Sequence, residues 1–331
     1  MGPLLIWARR VVDDFADDIL AAREETGRLT EQAEQAVRTR ESMARLTAYL
    51  DQLLQRGAPV PARLHKGEHQ VSQIYIAARA GCPTKQVNSH LSSERRAGFR
   101  DYVRRNPGPC PLSTPVTGTV EGRPWTDSID FTQTPQLMRH VSAACFIVLA
   151  YLTGMRPGEV MALEHGCCPA PSDGDRHLIY GRVFKGVHDQ DSNHYSAGPV
   201  REVPWVAIPP VVTAIRVLER LAPEGGLLFD ASVHTIPRGR VSTDRVFGYE
   251  AMRHRIEDFA IWASQLAIPP RNPASETPHT RCRPTSCPPR TADRLPRRER
   301  GRHRLSAAWG ALPTTDDPHD HVRVALAERL R

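Results

Sequence analysis

Residues 146–163 read FIVLAYLTGMRPGEVMAL, and the rest of the chain is interpreted outward from them. Ala144, Cys145, Val148, Leu149 and Leu152 recur at three- and four-residue steps, which predicts a helix with one buried apolar face. Gly154 stops that helix. Pro157 suits the first position of a second helix, where its missing amide hydrogen costs nothing, and Glu159 falls in the first turn, where the dipole favours an anion. Arg156 is thereby held in the elbow between two helices. A guanidinium fixed on a rigid corner can grip a phosphate through two parallel hydrogen bonds, which a lysine cannot reproduce. Taken alone, the same residue is equally a surface arginine after a helix cap.

The whole phrase decides between these readings. Thr153-Gly154-Met155-Arg156-Pro157-Gly158-Glu159, followed by Val160 and Leu163, resembles the first-arginine motif of the tyrosine recombinase (phage integrase) family. The resemblance implies that Arg156 meets a scissile DNA phosphate as a catalytic residue, with Glu159 supporting it. It implies a fold that is mainly α with a small antiparallel β-hairpin sheet, the catalytic domain being preceded by a helical domain. The implied reaction is site-specific strand exchange on double-stranded DNA, by protomers that associate on the DNA, with no metal and no other cofactor.

With 331 residues the chain has room for two domains. A net charge of +7 suits a polyanionic partner but is modest for this length. Lys66, Lys85 and Lys185 are the only lysines, an arginine bias that fits a GC-rich coding sequence. The seven cysteines form no disulfide framework, and the first residues hold only a short apolar run. No stretch approaches the length of a membrane span and Gly2 lacks a myristoylation context, so a cytoplasmic protein with no membrane partner is expected.

Residues 1–105 are expected to form a helical DNA-binding region. Val11, Val12, Phe15, Ile19 and Leu20 make one apolar stripe and Val37, Met43, Leu46, Leu50 and Leu53 a second, with Thr30 as the cap between them. Residues 57–61, GAPVP, read as a linker. Within residues 73–91, Ala77, Gly81 and Val87 have the spacing of a helix-turn-helix, a pattern that a plain helical pair also produces. In the former case Lys85, Gln86, Asn88 and Ser89 face outward, towards phosphates or base edges, and Arg95, Arg96, Arg100, Arg104 and Arg105 extend the basic surface.

Residues 106–123, rich in proline, glycine and threonine, read as the connection to a second domain at 124–267. There HLIYGRVF (177–184) and VREVPWVAI (200–208) read as strands, 209–221 as an amphipathic helix, 227–230 as a short buried element and 246–266 as another helix with Arg253, His254 and Arg255 on its polar side. The family resemblance makes Lys185, at the end of the first strand, the general acid for the leaving 5′ oxygen. His165, Cys167 and Cys168 invite a metal reading, but no second pair follows at zinc-finger spacing and none is expected.

Beyond Ala267 apolar periodicity stops, and residues 268–331 read as a proline- and arginine-rich disordered tail. The resemblance requires a His-x-x-Arg box, a further histidine and a nucleophilic tyrosine in this region. No histidine of the chain has arginine three residues later, and the last tyrosine, Tyr249, lies upstream of where the box belongs. The chain is therefore expected to be a catalytically incomplete integrase. A non-catalytic DNA-binding regulator that uses residues 73–91 is the alternative, and a functionless remnant a third. Two accounts of the tail stand, a shifted reading frame and a genuine basic tail that binds nucleic acid through charge alone: on the first, translating the DNA after codon 267 in the other two frames is expected to reveal a His-x-x-Arg followed by a tyrosine, and their absence from both frames excludes it.

Overall fold

The computed structural model describes residues 2–92, 98–171, 176–183, 198–230 and 248–267. Its centre is helix α7 (Thr134–Thr153), which begins with Pro135 in its first turn and ends at Gly154 in the left-handed conformation, φ 70°. A side chain at that φ is strained, so glycine is the residue that lets the chain turn here. Every residue from Val141 to Leu149 is buried. The expected single buried face is thus too narrow, because α7 is covered from several directions at once. Its length and apolar character match those of a membrane-crossing helix, contrary to the expectation that no stretch comes close, but 67% of its apolar window is buried inside the protein. That burial is the signature of a core helix.

The first layer over α7 is an N-terminal rod: α1 (Pro3–Arg10), a π-helical turn (Val11–Phe15) and α2 (Ala16–Gln35). The stripe of Val11, Val12, Phe15, Ile19 and Leu20 is buried as the sequence predicts. Thr30 is not a cap. It lies inside α2 with its hydroxyl donating to the Thr26 carbonyl at 2.8 Å, and α2 runs on to Gln35. The break comes at residues 36–39, where Val37 is 72% exposed and drops out of the second stripe. Thr39 caps α3 (Arg40–Gln55) by accepting from the Ser42 amide at 3.0 Å, while the Ser42 Oγ accepts from the Thr39 amide at 2.9 Å. The sequence reading missed this box because serine stands at the third helical position, where glutamate or glutamine is the usual signal.

Residues 57–61 are only partly a linker. Val60 begins β1 (Val60–His65), which pairs antiparallel with β2 (Glu68–Val71), Ala62 facing Val71 and His65 facing Glu68. Lys66 and Gly67 turn the hairpin with φ 51° and 80°, the conformation of a two-residue type I′ turn. Helices α4 (Gln73–Ala80), α5 (Thr84–Leu91) and α6 (Phe99–Arg105) follow, and β3 (Pro107–Gly108) returns to run parallel to β1. The small sheet therefore has the order β2-β1-β3.

Residues 106–123, expected to connect two domains, are fastened to the N-terminal rod. Two carboxylates two turns apart on α2 hold them. Asp18, 3% exposed, accepts from the Thr117 amide and hydroxyl, the Gly118 amide and the Trp125 indole, all within 3.0 Å. Glu25 accepts from the Ser113 amide at 3.0 Å and from the Thr114 amide and hydroxyl at 2.8 and 2.7 Å. Gly118 passes so close to the rod that a β-carbon would lie 2.8 Å from a Phe15 ring carbon and 2.9 Å from Trp125. Beyond a short hairpin of β4 (Thr119–Val120) and β5 (Arg123–Pro124), Trp125 stacks on Phe15 with centroids 5.0 Å apart. The compact unit consequently spans Met1–Leu266 and includes both halves of the expected two-domain plan.

The remaining elements are α8 (Pro157–Met161), the pair β6 (Leu178–Ile179) and β7 (Trp205–Val206), α9 (Pro209–Glu219) and α10 (Tyr249–Ala267). Helix α9 packs on α7. Leu228 and Phe229 form the expected buried element, the Leu228 amide donating to the Leu163 carbonyl at 2.8 Å. Helix α10 buries Met252, Ile256, Phe259 and Ala263, and its Trp262 stacks on His140 of α7 at 4.5 Å. Burial, aided by Arg139, pushes the His140 imidazole down to about 4, so it sits uncharged in the core. Arg255, expected on the polar side of this helix, reaches back to the Ser142 hydroxyl at 3.4 Å. Residues 268–331 lie outside the described residues. The fold is mainly α with small sheets, antiparallel in every pairing of the described strands except β1–β3, and its coarse class is the one expected from the sequence.

The Asp18 cluster makes a quantitative prediction. Burial opposes ionisation, but the hydrogen bonds from Thr117, Gly118 and Trp125 outweigh it and hold the carboxyl below its ordinary value. Asp18→Asn is expected to lower the stability of the chain by about 2–4 kcal/mol in urea denaturation at neutral pH. Because the folded-state pKa is depressed, this contribution is complete above the unfolded-state value and is lost as pH falls through the folded one. The gap between wild type and variant should therefore close below about pH 4.

Candidate nucleic-acid interface

The elbow that organises the sequence is built as its residues dictate. Gly154 closes α7, Arg156 takes an extended conformation as the N-cap of α8, and Pro157 occupies the first helical position. Glu159 is almost fully buried and receives two hydrogen bonds, from the Arg156 amide at 2.7 Å and from its guanidinium at 3.2 Å. The Arg156 side chain remains 57% exposed. One buried carboxylate thus fixes both the backbone and one edge of the guanidinium, and the rest of the donor fork faces solvent.

Beyond the elbow the chain is tied down by the β6–β7 pair. Gly181 lies against Leu163 and Trp205, each 3.3 Å from where a β-carbon would stand. The Tyr180 amide donates to the Cys167 carbonyl at 2.8 Å, and the hairpin continues through the Arg182–Val200 bridge. Regular strand is confined to two residues on each side, shorter than the predicted strands, and Arg201 lies over the Trp205 ring at 4.4 Å. Lys185 and the predicted loop at 186–198 fall outside the described residues, apart from Gly198. The buried thiols of Cys167 and Cys168 are pushed up by burial, Cys167 to about 12.

The helical pair at 73–91 has the predicted bounds. Gly81 adopts φ 62° between α4 and α5, and Ala77 and Val87 are buried on the inside of the corner. Arg45 of α3 locks the turn by donating to the Ala80 and Gly81 carbonyls at 3.2 and 2.9 Å. Sequence reading missed this role, since nothing local to Arg45 reveals which carbonyls it meets. Lys85, Asn88 and Ser89 are exposed on one side of α5. Gln86 is not among them: it is 1% exposed and its carbonyl accepts from the Ser42 hydroxyl at 3.0 Å. Residues one step either side of Val87 are both about 100° from it around the helix, and only the presence of α3 decides which is covered. Arg95 and Arg96 lie outside the described residues.

Two clusters therefore emerge, Arg156 with Glu159 and Lys85 with Asn88. Comparison of the chain with protein-family models, curated proteins and solved structures found no match.

The elbow predicts unequal responses to substitution. Glu159→Ala leaves the Arg156 amide without its acceptor and is expected to lower stability by about 1–2 kcal/mol. Arg156→Ala, which removes a mostly exposed side chain, is expected to change it by less than about 1 kcal/mol, both variants being compared with the wild type by thermal denaturation.

Proposed function

We propose that the chain is a DNA-binding protein of tyrosine-recombinase type, a site-specific integrase whose present copy lacks the residues to complete strand cleavage. The observation that carries this reading is the Thr-Gly-x-Arg-x-Gly-Glu elbow. Arg156 offers an outward guanidinium braced by a buried glutamate, an arrangement suited to stabilising charge on a phosphate. Lys185 is the proposed general acid, a role that follows from the family resemblance. Without a phenol in the right place there is no phosphotyrosyl intermediate to divide the reaction into two easier steps. Arg156 and Lys185 can contact a phosphate but cannot cleave it alone.

A second reading, a non-catalytic regulator, is favoured by α5, whose exposed Lys85, Asn88 and Ser89 carry no acidic residue among them. Both readings require duplex DNA as the partner, and the integrase reading adds self-association on it.

A nicked suicide duplex separates them. The expected result is salt-dependent binding with no covalent adduct, weakened by Arg156→Ala together with a fall of about 1 in the salt slope. A covalent adduct would mean that a nucleophile is present and the chain complete. Binding indifferent to Arg156→Ala but lost in Lys85→Ala/Asn88→Ala would identify the regulator, and the absence of duplex binding would exclude both.

A further inference from the structure

The hairpin β1–β2, helix α5 and helix α6 enclose a groove of about 320 Å³, whose lining includes Arg63, His69, Gln73, Asn88, Arg100 and Arg104. The lining is mixed, with Val71, Leu91 and Val103 beside the charged and amide side chains, and so carries more polar groups than an ordinary small-molecule pocket, which is mostly apolar. Arg63 enters from β1, opposite Gln70. Its buried Nε–H has no hydrogen-bond partner among the described residues, a condition it shares with the Nε–H of Arg9 and of Arg23, and Arg63 is the one of the three that lines this groove. Arg100 and Arg104 stand one turn apart on one face of α6. Arg104 is paired with Asp101, whereas among the described residues Arg100 makes only a long hydrogen bond of 3.5 Å to the Ser92 hydroxyl. Among the described residues neither Arg63 nor Arg100 has an ion-pair partner, and Glu68 is the one carboxylate in the lining.

Asn88 joins this groove to the exposed face of α5, because it lines the first and belongs to the second. Lys66 stands at the tip of the hairpin on the other side. A helix presented beside a basic groove and a hairpin fits a duplex, where the helix enters the major groove and flanking donors hold the backbone in register.

We infer that the groove between the β1–β2 hairpin and helices α5 and α6 seats backbone phosphates of duplex DNA, with Arg63 and Arg100 as the guanidinium donors. The inference rests on the DNA-binding reading of α5 and adds to it a site on which the Arg156 motif has no bearing. The unpartnered Nε of Arg63 gains an acceptor, and the two guanidinium groups are carried on a strand and a helix that flank the groove. Hydrogen bonds of this kind carry no sequence preference and position the helix that reads bases.

The test is fluorescence anisotropy of the full chain on a labelled random-sequence duplex across a series of salt concentrations. Arg63→Gln/Arg100→Gln is expected to weaken binding by about tenfold or more and to lower the slope of log affinity against log salt by about 0.9 for each phosphate that is no longer neutralised. Arg63→Lys/Arg100→Lys should keep most of the slope, since the charge is retained. Arg100→Gln alone, at an exposed position, should give about half the loss in slope with an unchanged circular dichroism spectrum and melting temperature, which guards against misfolding of the double variant. If the wild type binds duplex and Lys85→Ala/Asn88→Ala weakens it, but the double glutamine variant keeps its full slope, the groove is not a phosphate site and the α5 reading stands. If the wild type binds no duplex, both fall. Tighter binding of single-stranded RNA than of duplex overturns the assignment of the ligand.

Discussion

The fold depends on covering α7 from several sides. A helix with Val141–Leu149 buried without a break cannot rest on a single neighbour, since opposite faces need opposite partners. The N-terminal rod takes one side, α9 another, and α10 adds a contact through the His140–Trp262 stack. This explains why the chain does not divide near residue 106. Separating the first two helices from α7 would expose apolar surface at a cost of about 25 cal/mol for each Å².

The clamp on residues 113–125 follows from the same constraint. A segment rich in proline and glycine has no ladder of its own to satisfy its amides, and the buried ones need acceptors. Asp18 and Glu25 provide them from α2. Charged acceptors make stronger hydrogen bonds than neutral ones, so a stretch with the composition of a loose connection is held in place.

Much of this was legible in the sequence, and the failures share a cause. The elbow of Gly154, Arg156, Pro157 and Glu159 is local chemistry, and so is the corner at Gly81, so both could be read from a few residues. The stripe from Val11 to Leu20 was readable through its period. Thr30 misled because a threonine inside a helix that donates back to a carbonyl one turn earlier looks, in one dimension, like a cap. Gln86 misled because its fate depends on α3, more than forty residues away in sequence. The Arg63–Arg100 groove was invisible for the same reason, being assembled from a strand and a helix that only the tertiary fold brings together.

The π-helical turn at Val11–Phe15 has a bearing on which changes this chain can absorb. A π turn holds more residues than an α turn, so the rod carries two phases, one for Leu5 and Ala8 and another for Ile19 and Ala22. Loss of one residue there would close the wide turn into an uninterrupted α-helix and leave Leu5 and Ala8 facing the core. Loss of a residue from α1 or from the first turns of α2 would instead rotate one segment by about 100° relative to the other and swing Leu5 and Ala8 away. The rod can therefore be shortened by one residue at Val11–Phe15 and not beside it.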